Sequence, residues 1–188
     1  MTDPSEPTRQ RAVREVVEEL AARHGEAEVV RVCTALLDGA PPEDFTDIAV
    51  GLSVHGTSVT HLREAGYRDY WWPTWGARGL LYLWRPEAGP AVVRGLAHEH
   101  WRPAEMCLKV AARREIAEAA DAAVALAAHD LPRVRAVALR TLGLVGDTEH
   151  VDVVRDGLDD TETQVRRAAH LALERMVTRL DLRPEVWP

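Results

Sequence analysis

Between positions 131 and 160 the apolar residues fall into two short helical stripes separated by a turn. Val134, Val137, Ala138, Thr141 and Leu142 recur at three- and four-residue spacing and line one face of a first helix, and Val151, Val154 and Leu158 line a second. Pro132 suits the opening turn of the first helix, where its missing amide has no intrahelical acceptor. Gly143 and Gly146 let the chain leave that helix, and Asp147 and Thr148 can cap the next one. Neither helix is long enough to persist alone in water, so the apolar faces require a neighbouring copy to cover them.

The copies are present. Pro42, Pro73, Pro103 and Pro132 recur at intervals of 29 to 31 residues, each near the start of a helix-like segment. Setting Trp75, Ala104, Val134 and Val165 in register aligns Gly79, Leu108, Ala138 and Ala169, then Tyr82, Ala111, Thr141 and Ala172, then Leu83, Ala112, Leu142 and Leu173. A period near 30 with small and aliphatic residues in fixed columns predicts an all-α fold, a right-handed α-solenoid of about five helix pairs plus a C-terminal capping helix. The pairs are expected at 8–24 with 26–38, 43–54 with 57–65, 73–84 with 87–97, 103–113 with 115–128, and the 131–160 unit. The second pair is broken at His55-Gly56, and Pro90 shortens or kinks the second helix of the third. Residues 161–180 form the cap, with Arg167, Glu174, Arg175 and Arg179 on its polar side. The expected organisation is a disordered tail at 1–7, one solenoid domain over 8–180, and a loose tail at 181–188 in which Trp187 folds back or stands exposed.

Val134-Arg135, Ala138, Leu142-Gly143, Gly146-Asp147, Val151, Val154, Leu158 and Asp160, followed by Val165-Arg166 and Ala169, resemble the HEAT-repeat family, in particular its short bacterial phycobilisome-lyase-type form. The likeness is close over 130–176 and looser over 73–129. It implies a stacked-helix fold. It does not imply one activity, because such repeats occur in scaffolds, lyases and DNA-repair enzymes.

Hydrophobic residues make up 46% of the chain, yet Phe45 is the single phenylalanine, so the core must be built mainly from Ala, Leu and Val. The net charge of −7 argues against a general nucleic-acid coat, and the acidic excess is concentrated in residues 1–60, with 11 acidic against 5 basic residues. Cys33 and Cys107 sit inside apolar helical patterns and outside any metal-ligand spacing, which points to buried free thiols in a reducing compartment. Residues 1–7 are polar with no apolar run behind them, and no stretch is long enough to span a membrane, so a cytoplasmic location is expected.

The segment from Tyr67 to Trp101 holds five of the six tryptophans. Trp71 and Trp101 each lie two residues before a helix-opening proline, which places them in the same inter-repeat turn of adjacent units. Tyr67, Tyr70, Trp72, His98, Glu99, His100, His129 and Asp130 would share that edge. Turns normally carry small polar residues, so large aromatics there point to a binding ridge, with staples or plugs between repeats as the structural alternative. Trp75 and Trp84 read as core. Arg78 falls in a column otherwise filled by Cys107, Val137 and Ala168, where a charge needs a partner. Trp75 and Tyr82 could stack on it while Gly76 and Gly79 leave room for another chain or ligand; alternatively the register slips and Arg78 lies at the surface.

His98-Glu99-His100 alternates metal-ligand types, but HEAT-type deoxyhypusine hydroxylases repeat His-Glu at the start of several first helices and this chain has it once, in a turn. No metal and no cofactor is expected. Asp130 with Arg135, and Asp160 with Arg166, are read as turn-tying pairs, and no nucleophile elbow, P-loop or dinucleotide fingerprint is present. The leading expectation is a noncatalytic scaffold binding a protein or peptide. It would use the aromatic edge (Tyr70, Trp71, Trp72, Trp101, His98, His100, with Arg78) or an acidic inner helix layer containing Glu118, Asp121, Asp152 and Arg155. Two alternatives stand beside it: a DNA-binding repair protein resembling the HEAT-like alkylpurine glycosylases, using a stripe of Arg113, Arg114, Arg133, Arg140, Arg167 and Arg175, or a metal- or chromophore-binding enzyme with a closed pocket between Trp71, Arg78, His98 and His100. Nucleic acid and membrane are not the expected partners, and the oligomeric state is left open.

Overall fold

The computed structural model describes residues 12–182; the tail expected at 1–7, all but the first two residues of the tail expected at 181–188, including Trp187, and the first four residues of the first expected helix lie outside them. Eleven α-helices and no strand occur among the described residues. They are α1 Val13–His24, α2 Glu26–Leu37, α3 Thr46–Ser53, α4 Val59–Glu64, α5 Trp71–Leu80, α6 Gly89–Gly95, α7 Trp101–Arg114, α8 Ala120–Ala127, α9 Pro132–Val145, α10 Val151–Asp156 and α11 Thr163–Arg179. Short 3₁₀ turns at Pro86–Ala88, Ala117–Ala119 and Thr148–His150 lead into α6, α8 and α10.

The unit that is clearest in sequence is also the most regular in space. α9 packs between α7 and α11, and α8 and α10 each pack against the first helix that follows them. Pro132 opens α9, the Gly146 amide closes it on the Leu142 carbonyl at 2.8 Å, and Asp147 caps the next turn by accepting from the Thr148 amide. The aligned columns are buried as a set: Ala104, Val134 and Val165, then Leu108, Ala138 and Ala169, then Ala111, Thr141 and Ala172. Thr141 satisfies its buried hydroxyl by donating to the carbonyls of Val137 and Leu108, which ties α9 to α7. Gly143 is required by close approach, because a Cβ there would stand 2.7 Å from the Ala172 Cα on α11. In the third pair the alignment fails at its end. α5 stops at Leu80, two turns earlier in the column than its counterparts, so Tyr82 falls outside the helix and is exposed.

The N-terminal half departs from the regular pattern. The second pair is short, with α3 ending at Val54 in a left-handed conformation (φ 57°) that a β-branched residue adopts only at a cost. α4 has six residues and contributes little packing, so α2 lies directly along α5. Gly76 and Gly79 make this possible: a Cβ on Gly76 would meet the Cys33 carbonyl oxygen at 2.6 Å, and one on Gly79 would meet Cys33 Sγ at 2.7 Å. The room expected there for a ligand or another chain is therefore filled by α2. Cys33 and Cys107 are buried free thiols, and burial pushes the Cys33 thiol up to about 12 and that of Cys107 upward as well.

Two expected boundaries shift with consequences for the site. Trp71 and Trp101 are the first residues of α5 and α7 rather than turn residues, because both helices start two residues ahead of their prolines. Glu115 does not open the second helix of its pair; it terminates α7 in a left-handed conformation.

Candidate functional site: a cleft between repeat turns

The aromatic segment divides into a buried cluster, a ladder and a cleft. Trp75 is buried and touches three other rings, Tyr67 at 5.4 Å, Trp71 at 5.8 Å and Trp72 at 4.9 Å, the last edge-on. Trp72 is also in the core, which removes it from the exposed edge where it was expected.

Trp71 and Trp101 sit on successive first helices, and the Arg102 guanidinium lies between them, 4.7 Å from one ring centre and 4.5 Å from the other. Arg133 covers Trp101 at 5.0 Å and donates to the buried Glu105 carboxylate at 2.8 Å. Alternating cations and rings thus staple three repeats together. The ring faces expected to meet a partner are in contact with the protein's own arginines.

Beside the ladder is a cleft of about 590 Å³ lined by Gly39 to Pro42, Arg63, Asp69, Tyr70, Trp72, Pro73, His98, Glu99 and His100, with Leu36 at its base. Tyr70 lies flat on His100, with ring centres 3.6 Å apart and planes within 3°, joining the turns before α5 and α7. The histidines also lock those turns: His98 Nδ1 accepts the His100 amide at 2.9 Å, and His100 Nδ1 accepts the Arg102 amide at 3.2 Å, capping α7. His129 repeats the device one unit later by accepting the Leu131 amide. Trp72, which also lines the cleft, keeps its indole N–H buried with no acceptor among the described residues, which is uncommon for a buried tryptophan.

Burial, Arg102 and His98 all hold the His100 imidazole below its usual range, consistent with a neutral ring needed as a hydrogen-bond acceptor. The unfolded chain takes up a proton first as pH falls. The cap therefore contributes fully above about pH 6.5 and is lost as pH drops through the lowered folded-state value. Melting temperature is expected to decline between pH 7.5 and 5. His100→Asn, which caps without titrating, should flatten that decline; an unchanged pH profile would show that His100 is not the titrating cap.

Of the residues singled out from sequence, Tyr70, Trp72, His98 and His100 come together in the cleft, with Trp71 and Trp101 in the adjoining ladder. Arg78 does not line it. Its guanidinium donates to the Leu52 carbonyl at 2.6 Å and to that of Ser53 at 3.4 Å, capping the strained end of α3, and the ring of Tyr82 faces Arg14 instead. Trp71 and Arg78 do not line the cleft, so it is not the closed pocket between Trp71, Arg78, His98 and His100 that would mark the metal- or chromophore-binding alternative. Glu118, Asp121 and Asp152 are exposed around the second helices far along the chain; Asp121 stands 3.6 Å from His150, and Asp152 pairs with Arg155 at 2.6 Å. Among the described residues, no three or more His, Cys, Asp or Glu converge as a metal site. The cleft walls that sequence reasoning missed, Pro41, Pro42, Arg63 and Asp69, were signalled only by the chain break at 39–42.

The stacked helix pairs and their inter-turn ties define an α-solenoid. Residues 89–174 match the family model for HEAT repeats. No curated protein and no solved structure matches it. Among the described residues no helix is long and apolar enough to cross a membrane.

Proposed function

We propose that this protein is a noncatalytic scaffold that holds a segment of another protein in the cleft between the turns preceding α5 and α7. HEAT repeats commonly serve as protein-interaction scaffolds, and the single observation that favours this cleft is its lining. It combines a preorganised Tyr70–His100 stack, three prolines and one face of Trp72. Rigid aromatic and proline surfaces lose little entropy on binding, and the volume lies within the range of natural ligand sites. A fitting partner is an extended segment that inserts one apolar side chain between Tyr70 and the prolines. Arg63, Asp69 and Glu99 at the rim would select its flanking charges. The buried free thiols suit a reducing, cytoplasmic setting.

The test is affinity capture from a lysate of the source organism with the wild-type chain and a Tyr70→Ala, Glu99→Lys double variant. Both positions line the cleft without belonging to the core, so thermal melts of the two proteins should agree within a few degrees. A protein captured by the wild type and lost from the variant is the expected result. Undiminished capture by the variant, or capture of nothing, rejects the cleft. Binding that survives the variant but disappears at raised salt would instead favour the acidic residues Glu118, Asp121 and Asp152.

A further inference from the structure

The net charge of −7 conceals a segregation by layer. α7, α9 and α11 together carry eleven basic residues against two acidic ones, whereas the segments between them, 115–131 and 146–162, carry eleven acidic residues against one basic. Many of the first-helix arginines have internal roles. Arg135 is bound to Asp160, Arg114 to the carbonyls closing α5, and Arg102 and Arg133 to the tryptophan ladder.

Others have none. Of these, Arg113, Arg140 and Arg175 are exposed, come from three successive first helices, and form no ion pair among the described residues. With Lys109 they line a cleft of about 320 Å³ whose floor includes Val137 and Leu144. The remaining cation, Lys109, shares the buried Glu105 carboxylate with Arg133 at 2.8 Å each, so one carboxylate serves two cations.

We propose that this cleft is a second docking surface, and that its occupant is an acidic amphipathic helix from another protein. Carboxylates on that helix would pair with Arg113, Arg140 and Arg175 while an apolar stripe covers Val137 and Leu144. Charge complementarity selects an anionic partner, and the apolar floor selects between anions. A phosphate backbone has nothing to place on Val137 and Leu144, whereas a helix with aliphatic residues at i and i+4 does. The acidic segments flanking each basic helix would also repel a long polyanion. First helices about 10 Å apart spread the cations over roughly 20 Å, which a helix of about 14 residues spans.

The experiment is fluorescence anisotropy of the full chain with three labelled probes. One is a synthetic peptide of about 14 residues with Glu on one face and Leu at i, i+4 spacing; the others are its scrambled counterpart and a single-stranded oligonucleotide of similar length. The patterned peptide is expected to bind best, to weaken with added salt, and to lose about tenfold or more in affinity in an Arg113→Glu, Arg140→Glu variant. Arg31→Glu, remote on α2, should leave binding unchanged. If the double reversal lowers the melting temperature, Arg113→Gln with Arg140→Gln carries the test. Equal binding of the scrambled peptide or the oligonucleotide overturns the proposal, as does absence of binding or equal loss in Arg31→Glu. It is likewise overturned if sedimentation shows the chain self-associating through a contact abolished by Arg140→Glu, since the acidic layer of a second copy would then be the occupant.

Discussion

Replacing Trp75 with alanine should cost about 3–5 kcal/mol of folding stability and take the cleft with it. Trp75 is 1% exposed and is the ring on which Tyr67, Trp71 and Trp72 converge. α5, which carries it, is the helix against which α2, α3 and α7 all pack, so the void left by an indole opens where both halves of the solenoid meet. The neighbours cannot easily collapse into that void. Gly76 already brings α2 to the limit of backbone contact, and Trp71 is held from its other side by Arg102. Urea unfolding monitored by circular dichroism would measure the loss, and Trp75→Phe should recover part of it by restoring a ring. A loss below about 1 kcal/mol would show that the aromatic cluster is not a keystone of the fold.

The second large effect is expected at Asp160. Its carboxylate accepts two hydrogen bonds from Arg135, at 2.8 and 2.9 Å, and a third from the Glu162 amide at 2.8 Å. Both charged side chains are only about 15% exposed. Arg135 reaches back to the carbonyls of His129 and Asp130 as well, so this one guanidinium ties the turn before α9 to the turn before α11. Asp160→Ala would remove three charge-assisted bonds and leave a partly buried cation without its counterion, for an expected loss of about 2–4 kcal/mol. The hydrogen bonds from Arg135 hold the Asp160 carboxyl below its ordinary range. Its contribution is therefore complete above about pH 4 and lost as pH falls through the lowered folded-state value. Melting curves from pH 7 to 2 should show a steeper acid limb in the wild type than in the alanine variant. Parallel limbs would mean that the pair adds no pH-dependent stability.

That pairing also corrects a sequence-based expectation. Asp130 with Arg135 and Asp160 with Arg166 were the pairs suggested by proximity in the chain. Arg135 instead binds the aspartate of the next turn, and Arg166 binds the backbone carbonyls of Asp160 and Thr161 and the Thr163 hydroxyl. The aspartate–arginine link runs between repeats rather than within one.

The sequence by itself determined the helices, their period and most of the buried columns. Those features are set by spacings of three and four residues, by Pro132 and Asp147 at helix starts, and by glycines at helix ends, all of which act locally. It also marked the turns around Tyr70 and His100 as unusual, because large aromatics there have no local reason to occur. What only the tertiary structure decided was how the long side chains chose among partners. Trp72 turned into the core, Trp71 and Trp101 closed on Arg102, Arg78 went to the end of α3, and α2 filled the space beside Gly76. Each of those outcomes depends on which backbone approaches from another repeat, often 25 or more residues away. An arginine or tryptophan can satisfy several such neighbours equally well until the stacking of helices brings one of them within reach.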